Sequence, residues 1–172
     1  KYINMKNKIL TLILTVCIGS ANAADLYVNG SGNANTYTTI QAAVNAANSG
    51  DNIYISTVGT FNEAVSITNK SIFLIPAVAD EEFKVANGVS FSGSSSYEST
   101  IIGMWNASIT SSGSGKLNVI DCDINSININ GNLYNSVVHN SAGVTGNVSG
   151  CTFESGLTYS PGSPVGKCVG NK

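Results

Sequence analysis

Four side chains in the second half of the chain are of the types that do acid–base or metal chemistry: Asp121, Asp123, His139 and Glu154. His139 is the sole histidine. Asp123, His139 and Glu154 follow one another at nearly equal intervals, so a chain repeating at that interval would stack all three. Asp121 stands two positions before Asp123, which in a strand means the same face at roughly 6.5–7 Å. Carboxylates at such a separation suit an inverting glycosidase, one protonating the leaving group while the other activates water. Asp, His and Glu are also acceptable metal ligands, although stacking by itself sets no coordination geometry. The third reading, and the plainest, is a solvated polar face.

The flanking sequence does repeat. "GKLNVIDCDI", "GNLYNSVVHN", "GNVSGCTFES" and "SPVGKCVGNK" align when copies start at Ile101, Leu117, Leu133, Val148 and Val165, spaced 16, 16, 15 and 17. Units this short cannot bury an apolar side alone and gain a core only by stacking. Six positions past each start lie Ala107, Asp123, His139, Glu154 and Asn171, a column expected to face solvent. Three past each start lie Met104, Ile120, Ser136, Cys151 and Cys168. If that column points inward, Cys151 and Cys168 occupy adjacent rungs about 4.8 Å apart, within disulfide reach. A Cys151–Cys168 disulfide is therefore one expectation and three reduced, buried thiols the other. Cys122 falls with Val138 and Phe153, as a small buried hydrophobe. The last copy stops partway through a rung at Lys172, which reads either as a stub that closes the solenoid or, the favoured expectation, as a chain that continues further.

The elements that would start such a stack lie upstream. Residues 38 to 48 carry Ile40, Ala43, Val44 and Ala47 at helical spacing. Thr38 and Gln41 have the spacing of a capping box, and Gly50 supplies a stop. The period then switches to two: Ile53 and Ile55, Val65 and Ile67, Ile72 and Leu74 alternate as in half-buried strands. A short one-faced helix in front of such strands can cover the open end of a solenoid.

The stretch "YTTIQAAVNAANSGDNIYISTVGTFNEAVSITNKSIFLIP" resembles the N-terminal cap and first coils of pectin-lyase-like proteins. The resemblance covers positions 37 to 76 and implies an all-β, right-handed parallel β-helix with a short N-terminal capping α-helix. It does not imply one activity, because that superfamily holds lyases, hydrolases, esterases and non-enzymatic surface proteins. Polygalacturonases of this fold place aspartates and a histidine on such a face. This chain has "DCD" where they carry Asn-Thr-Asp and Asp-Asp segments, "VHN" where they carry Gly-His-Gly, and no Arg-Ile-Lys. The related lyases use carboxylates for calcium and an arginine or lysine as base. Arginine is absent here and Lys116 stands alone, so calcium enters only under a lyase reading and no other cofactor is implied.

Composition narrows the partners. "MKNKILTLILTVCIGSANA" has a basic start (Lys6, Lys8), an apolar run from Ile9 to Ile18 and small residues at Ala21 and Ala23. That is the layout of a signal peptide cut after Ala23, and the run is short of the roughly 20 residues that span a bilayer. The expected division is residues 1–23 as leader and 24–172 as one exported β-helix domain, secreted or held at the cell surface. From Ala24 onward five lysines face ten acids, 5 − 10 = −5. An acidic, arginine-free surface is unsuited to nucleic acid and to anionic membranes. The "ADEEF" cluster at 79–83 reads as a protruding loop, and Trp105 and Tyr134 are the aromatics that would stack on sugar rings if exposed. The expected function is a non-catalytic module that binds polysaccharide or serves as a spacer. The alternative is the N-terminal part of a polyuronate-degrading lyase or glycoside hydrolase.

Overall fold

The computed structural model describes residues 23–29, 36–56 and 60–155, together with the backbone of 157–159 and 168–169. Strands β1 (Asp25–Val28) and β2 (Thr36–Tyr37) precede helix α1 (Ile40–Ala46). The chain then winds in successive coils of short strands. The first holds β3 (Asn52–Ile55), β4 (Thr60–Phe61) and β5 (Val65–Thr68), and the second β6 (Phe73–Pro76), β7 (Phe83–Val85) and β8 (Val89–Gly93). In the next two coils the second and third strands fuse: β9 (Glu98–Ile102) with β10 (Met104–Gly113), and β11 (Lys116–Ile120) with β12 (Asp123–Ile129). Two coils of very short strands follow: β13 (Leu133–Tyr134), β14 (Val137–Val138) and β15 (Ala142–Val144), then β16 (Val148–Ser149), β17 (Thr152–Phe153) and β18 (Leu157–Tyr159). Strand β19 (Cys168–Val169) comes last.

Every described pairing is parallel, and strands one coil apart are neighbours. One wall runs β19-β16-β13-β11-β9-β6-β3-β1-β2, and a second runs β17-β14-β12-β10-β7-β4. Strands β18, β15, β8 and β5 add a third wall through the far halves of β12 and β10. The architecture is thus a parallel β-solenoid, as the alternating apolar pattern predicted.

Its interior is filled by like-on-like columns, because parallel pairing puts residues of equivalent coil position directly above one another. On the first wall Leu26, Ile53, Leu74, Ile101, Val119, Leu133 and Val148 form one such column, all buried. Val89, Ile109, Ile127 and Ala142 form another on the third wall. Burying each Val, Leu or Ile is worth about 1.5–3 kcal/mol, so the columns, not the short strands themselves, carry the stability.

This register corrects the alignment of the sequence copies. Ile101 pairs with Val119 and not with Leu117, which faces Ser99. Between Trp105 and Ser108 the β10–β12 ladder shifts register at two steps, around Asn106 with φ of 51°. The two shifts cancel, because Trp105 faces Asp123 and Ile109 faces Ile127 at the same offset, and the coil from Ile101 to Val119 outgrows the next one, from Val119 to Leu133, in the turn 113–116 after β10. Cys122 accordingly leaves the expected column of Val138 and Phe153, where Ile124 stands instead. It joins the buried column of Met104, Ser136 and Cys151. At the far end Cys168 pairs by backbone with Val148, the start position of its coil, and not with Cys151. The side chain of Cys168, and with it the expected Cys151–Cys168 disulfide, lies outside the described residues.

The cap works differently from the expected box. Helix α1 begins at Ile40, with Thr39 as its N-cap accepting the amide of Ala42 at 3.1 Å, and ends at Ala46. Glu63 takes the Ile40 and Gln41 amides at 2.8 and 2.9 Å, a carboxylate at the positive end of the helix. Lys70 donates to the carbonyls of Val44, Asn45 and Ala47 at 2.6–2.9 Å at the negative end. Gln41 is then free to act as a strand: its amide accepts from Ser66 N–H at 2.6 Å and donates to Ser66 C=O at 3.1 Å. It thereby satisfies the backbone of β5 on the edge that has no further coil beneath it. Gly50, with φ of 104°, serves the turn after the helix and not its C-cap.

Candidate functional site

The second wall presents its outward side chains on one face. Register places Lys84 beside Trp105, Trp105 beside Asp123, and Asp123 beside Val137. Ile124 and Val138 alternate inward and are fully buried, which turns Asp123 and His139 outward. Because Ile124 pairs with Val138, His139 stands level with Asn125, one position past Ile124. The Asp123–His139 contact is therefore diagonal, two positions along the strand. The two side chains nevertheless meet, with Nε2 of His139 at 2.6 Å from Oδ1 of Asp123. On the next coil Oε2 of Glu154 lies 2.9 Å from Nδ1. The expected grouping of Asp123, His139 and Glu154 is present.

Its geometry defines what it can do. A neutral imidazole has one N–H and would leave its other nitrogen lone pair facing a carboxylate. The imidazolium satisfies both, and the contacts with Glu154 and then Asp123 raise the His139 pKa above its ordinary value. Both ring nitrogens are thus spent on carboxylates, and neither is open to take a proton from a bound molecule. The arrangement is a clasp across three coils. Among the described residues no group of three or more His, Cys, Asp or Glu side chains is placed to hold a metal ion.

Asp121 does not belong to this face. It sits with φ of 51° in the bend between β11 and β12, not in a strand with Asp123, and buried Cys122 separates the two. The equivalent bends of neighbouring coils hold Gly103, Asn135 and Gly150 at φ of 63°, 48° and 68°. Gly, Asp and Asn are the residues that accept this left-handed conformation at least cost. The column thus explains Asp121 as a corner residue. The side chain that follows each bend points inward, and those of Cys122, Ser136 and Cys151 are tied to the turn. Cys122 Sγ lies 3.1 Å from the Ile120 carbonyl and accepts Met104 N–H at 3.4 Å. Ser136 Oγ donates to the Tyr134 carbonyl at 2.7 Å and accepts Cys122 N–H at 3.1 Å. Burial pushes the Cys122 thiol up to about 12.

Two members of the face were not singled out from the sequence. Lys84 places its ammonium 4.5 Å from the centre of the Trp105 ring, and Trp105 itself is 38% exposed. Glu82 has its carboxyl raised above the usual range, first by partial desolvation and then by the charge of Asp123. Both come from the coil carrying the "ADEEF" segment, whose register was not predicted. Tyr134 is half-buried, and Lys116 lies on the first wall opposite Glu98. No described helix is long and apolar enough to cross a membrane. The chain matches no protein-family model, no curated protein and no solved structure.

Proposed function

We propose that the protein is an exported, non-catalytic β-solenoid module that binds carbohydrate on its second wall, with kinship to the pectin-lyase-like proteins. The observation that carries this reading is Trp105, an exposed indole with the Lys84 ammonium over one ring face and Asp123 next to it in the ladder. An aromatic face bordered by hydrogen-bonding side chains stacks on the C–H face of a pyranose while its neighbours reach the hydroxyls. Rungs about 4.8 Å apart repeat such contacts along a polymer. Rows of amides do the same elsewhere: Asn118 accepts from Asn132, which accepts from Asn147, at 2.7 and 3.1 Å. The kinship rests on the 37–76 pattern and on the solenoid that follows it. Export rests on the leader-like stretch 1–23.

The test is affinity electrophoresis of residues 24–172 through gels holding neutral glucans, chitin oligomers or polygalacturonate. Retardation by at least one polymer, lost in Trp105→Ala, supports binding at this face. Retardation that survives the substitution moves the site elsewhere, and none at all leaves only a spacer. One observation favours an enzyme instead: the Glu82 carboxyl is raised, first by desolvation and then by the charge of Asp123, which is the direction a general acid needs. Release of reducing or unsaturated ends from these polymers, abolished by Glu82→Gln, would establish it over the binding reading.

A further inference from the structure

A groove of about 310 Å³ lies at the corner where the first wall turns into the second. Its apolar lining is Ile75, Pro76, Val78 and Ile102, and three acids, Asp80, Glu81 and Asp121, complete it. Ile75 and Ile102 are outward residues of β6 and β9, and they remain partly open to solvent where the other outward positions of a strand are usually polar. The roof is the segment between β6 and β7, with Val78 half exposed.

This groove continues the Trp105 face. Glu81 lines it while Glu82 senses Asp123, Asp121 lines it two positions before Asp123, and Gly103 lines it two positions before Trp105. No cationic side chain contributes to its lining. An occupant that complements this lining offers an apolar surface to Ile75, Pro76 and Ile102 and positive charge to the acids of the two corner residues, Asp80 and Asp121.

Resting on the carbohydrate reading above, we infer that the groove is a subsite for an amine-bearing sugar unit of the polymer that crosses Trp105. A glucosamine ring has an apolar C–H face and, unacetylated, an amine that is an ammonium in mildly acidic buffer. The same acids repel a uronate, so the site discriminates against polyuronates by like charge.

The experiment is calorimetric titration at about pH 5.5, where the amines are protonated and ordinary carboxylates ionised, with the hexamers of glucosamine and of N-acetylglucosamine, on the parent chain and on Asp80→Asn/Asp121→Asn. Asn keeps the left-handed backbone that Asp80 and Asp121 adopt, at φ of 61° and 51°, so the variant removes charge without refolding the corner. The glucosamine hexamer is expected to bind about tenfold more tightly than the acetylated one. The double variant is expected to bring the affinities for the two hexamers to within about twofold of each other, and 0.5 M salt is expected to weaken the preference in the parent. Equal affinities in the parent, or a preference that survives the double variant, overturn the subsite and leave the Trp105 reading standing. Failure of both hexamers and of neutral glucans to bind overturns the two together.

Discussion

Nε2 of His139 lies 2.6 Å from Oδ1 of Asp123 although the two residues are not level in the ladder, and Glu154 holds the opposite nitrogen. The contact links coils whose strands on this wall pair only over two residues each, β14 with β12 and β17 with β14, and it is flanked by hydrogen bonds from Asn140 to Asn125 and from Ser155 to the His139 carbonyl.

The clasp makes stability depend on pH in a definite direction. The folded pKa of His139 is raised, so its contribution is fully present below the unfolded value of about 6.5 and is lost as pH rises through the folded one. Thermal melts of the parent and of His139→Gln are expected to differ most below pH 6.5 and to converge in alkaline buffer. A difference that grows with pH would mean the imidazolium is not the clasped form.

The Asp121 corner separates structure from chemistry. Asp121→Gly and Asp121→Asn are expected to leave the melting temperature within the range of surface substitutions. Asp121→Val costs about 1–2 kcal/mol, because a β-branched residue resists positive φ. Urea denaturation checks this. Equal stability of the Val and Gly variants would refute the corner assignment.

Cys122 offers a chemical check. A thiol buried to 3% exposure and pushed up to about 12 is inert in the native state. Iodoacetamide at pH 8 is expected to leave Cys122 unlabelled until denaturant is added, as peptide mapping will show. Cys122→Ser keeps both tethering contacts, on the pattern of Ser136, and Cys122→Ala loses them at about 1–3 kcal/mol.

At the cap, Lys70→Met removes the ammonium from three carbonyls and is expected to cost about 1–3 kcal/mol. Gln41→Leu keeps helix propensity but strips Ser66 of its surrogate strand. Hydrogen exchange at the Ser66 amide should accelerate in that variant while the β13 amides stay protected. Unchanged protection at Ser66 would refute Gln41's role as a strand surrogate.

These features differ in how far they could be read from the residues alone. The alternation of Ile53 with Ile55 and Val65 with Ile67 reports a local period of two, and that is why strands and cap helix were legible. Register is not local. The turn 113–116 lengthens a coil without any apolar marker, so the copy starts at Val119 and not at Leu117, and Cys122 moves by a column. Asp123, His139 and Glu154 were grouped correctly through a sequence spacing that is a diagonal in the real ladder, since long side chains bridge two positions. Glu82 and Lys84 were missed because the loop before them hides which rung follows. Thr38 looked like a cap because Thr38 and Thr39 adjoin, and only the backbone at Thr39, extended at φ −134°, distinguishes them.

Trp105 is the sole tryptophan of the chain, so its fluorescence reports directly on the proposed binding face. We would titrate residues 24–172 with glucosamine and N-acetylglucosamine hexamers and with a neutral glucan, following emission intensity and wavelength. Saturable quenching or a blue shift with at least one of them, as an indole moves from water onto a sugar ring, is the predicted result. Emission that stays constant while affinity electrophoresis shows retardation would contradict a site at Trp105, and constant emission without retardation would contradict carbohydrate binding altogether.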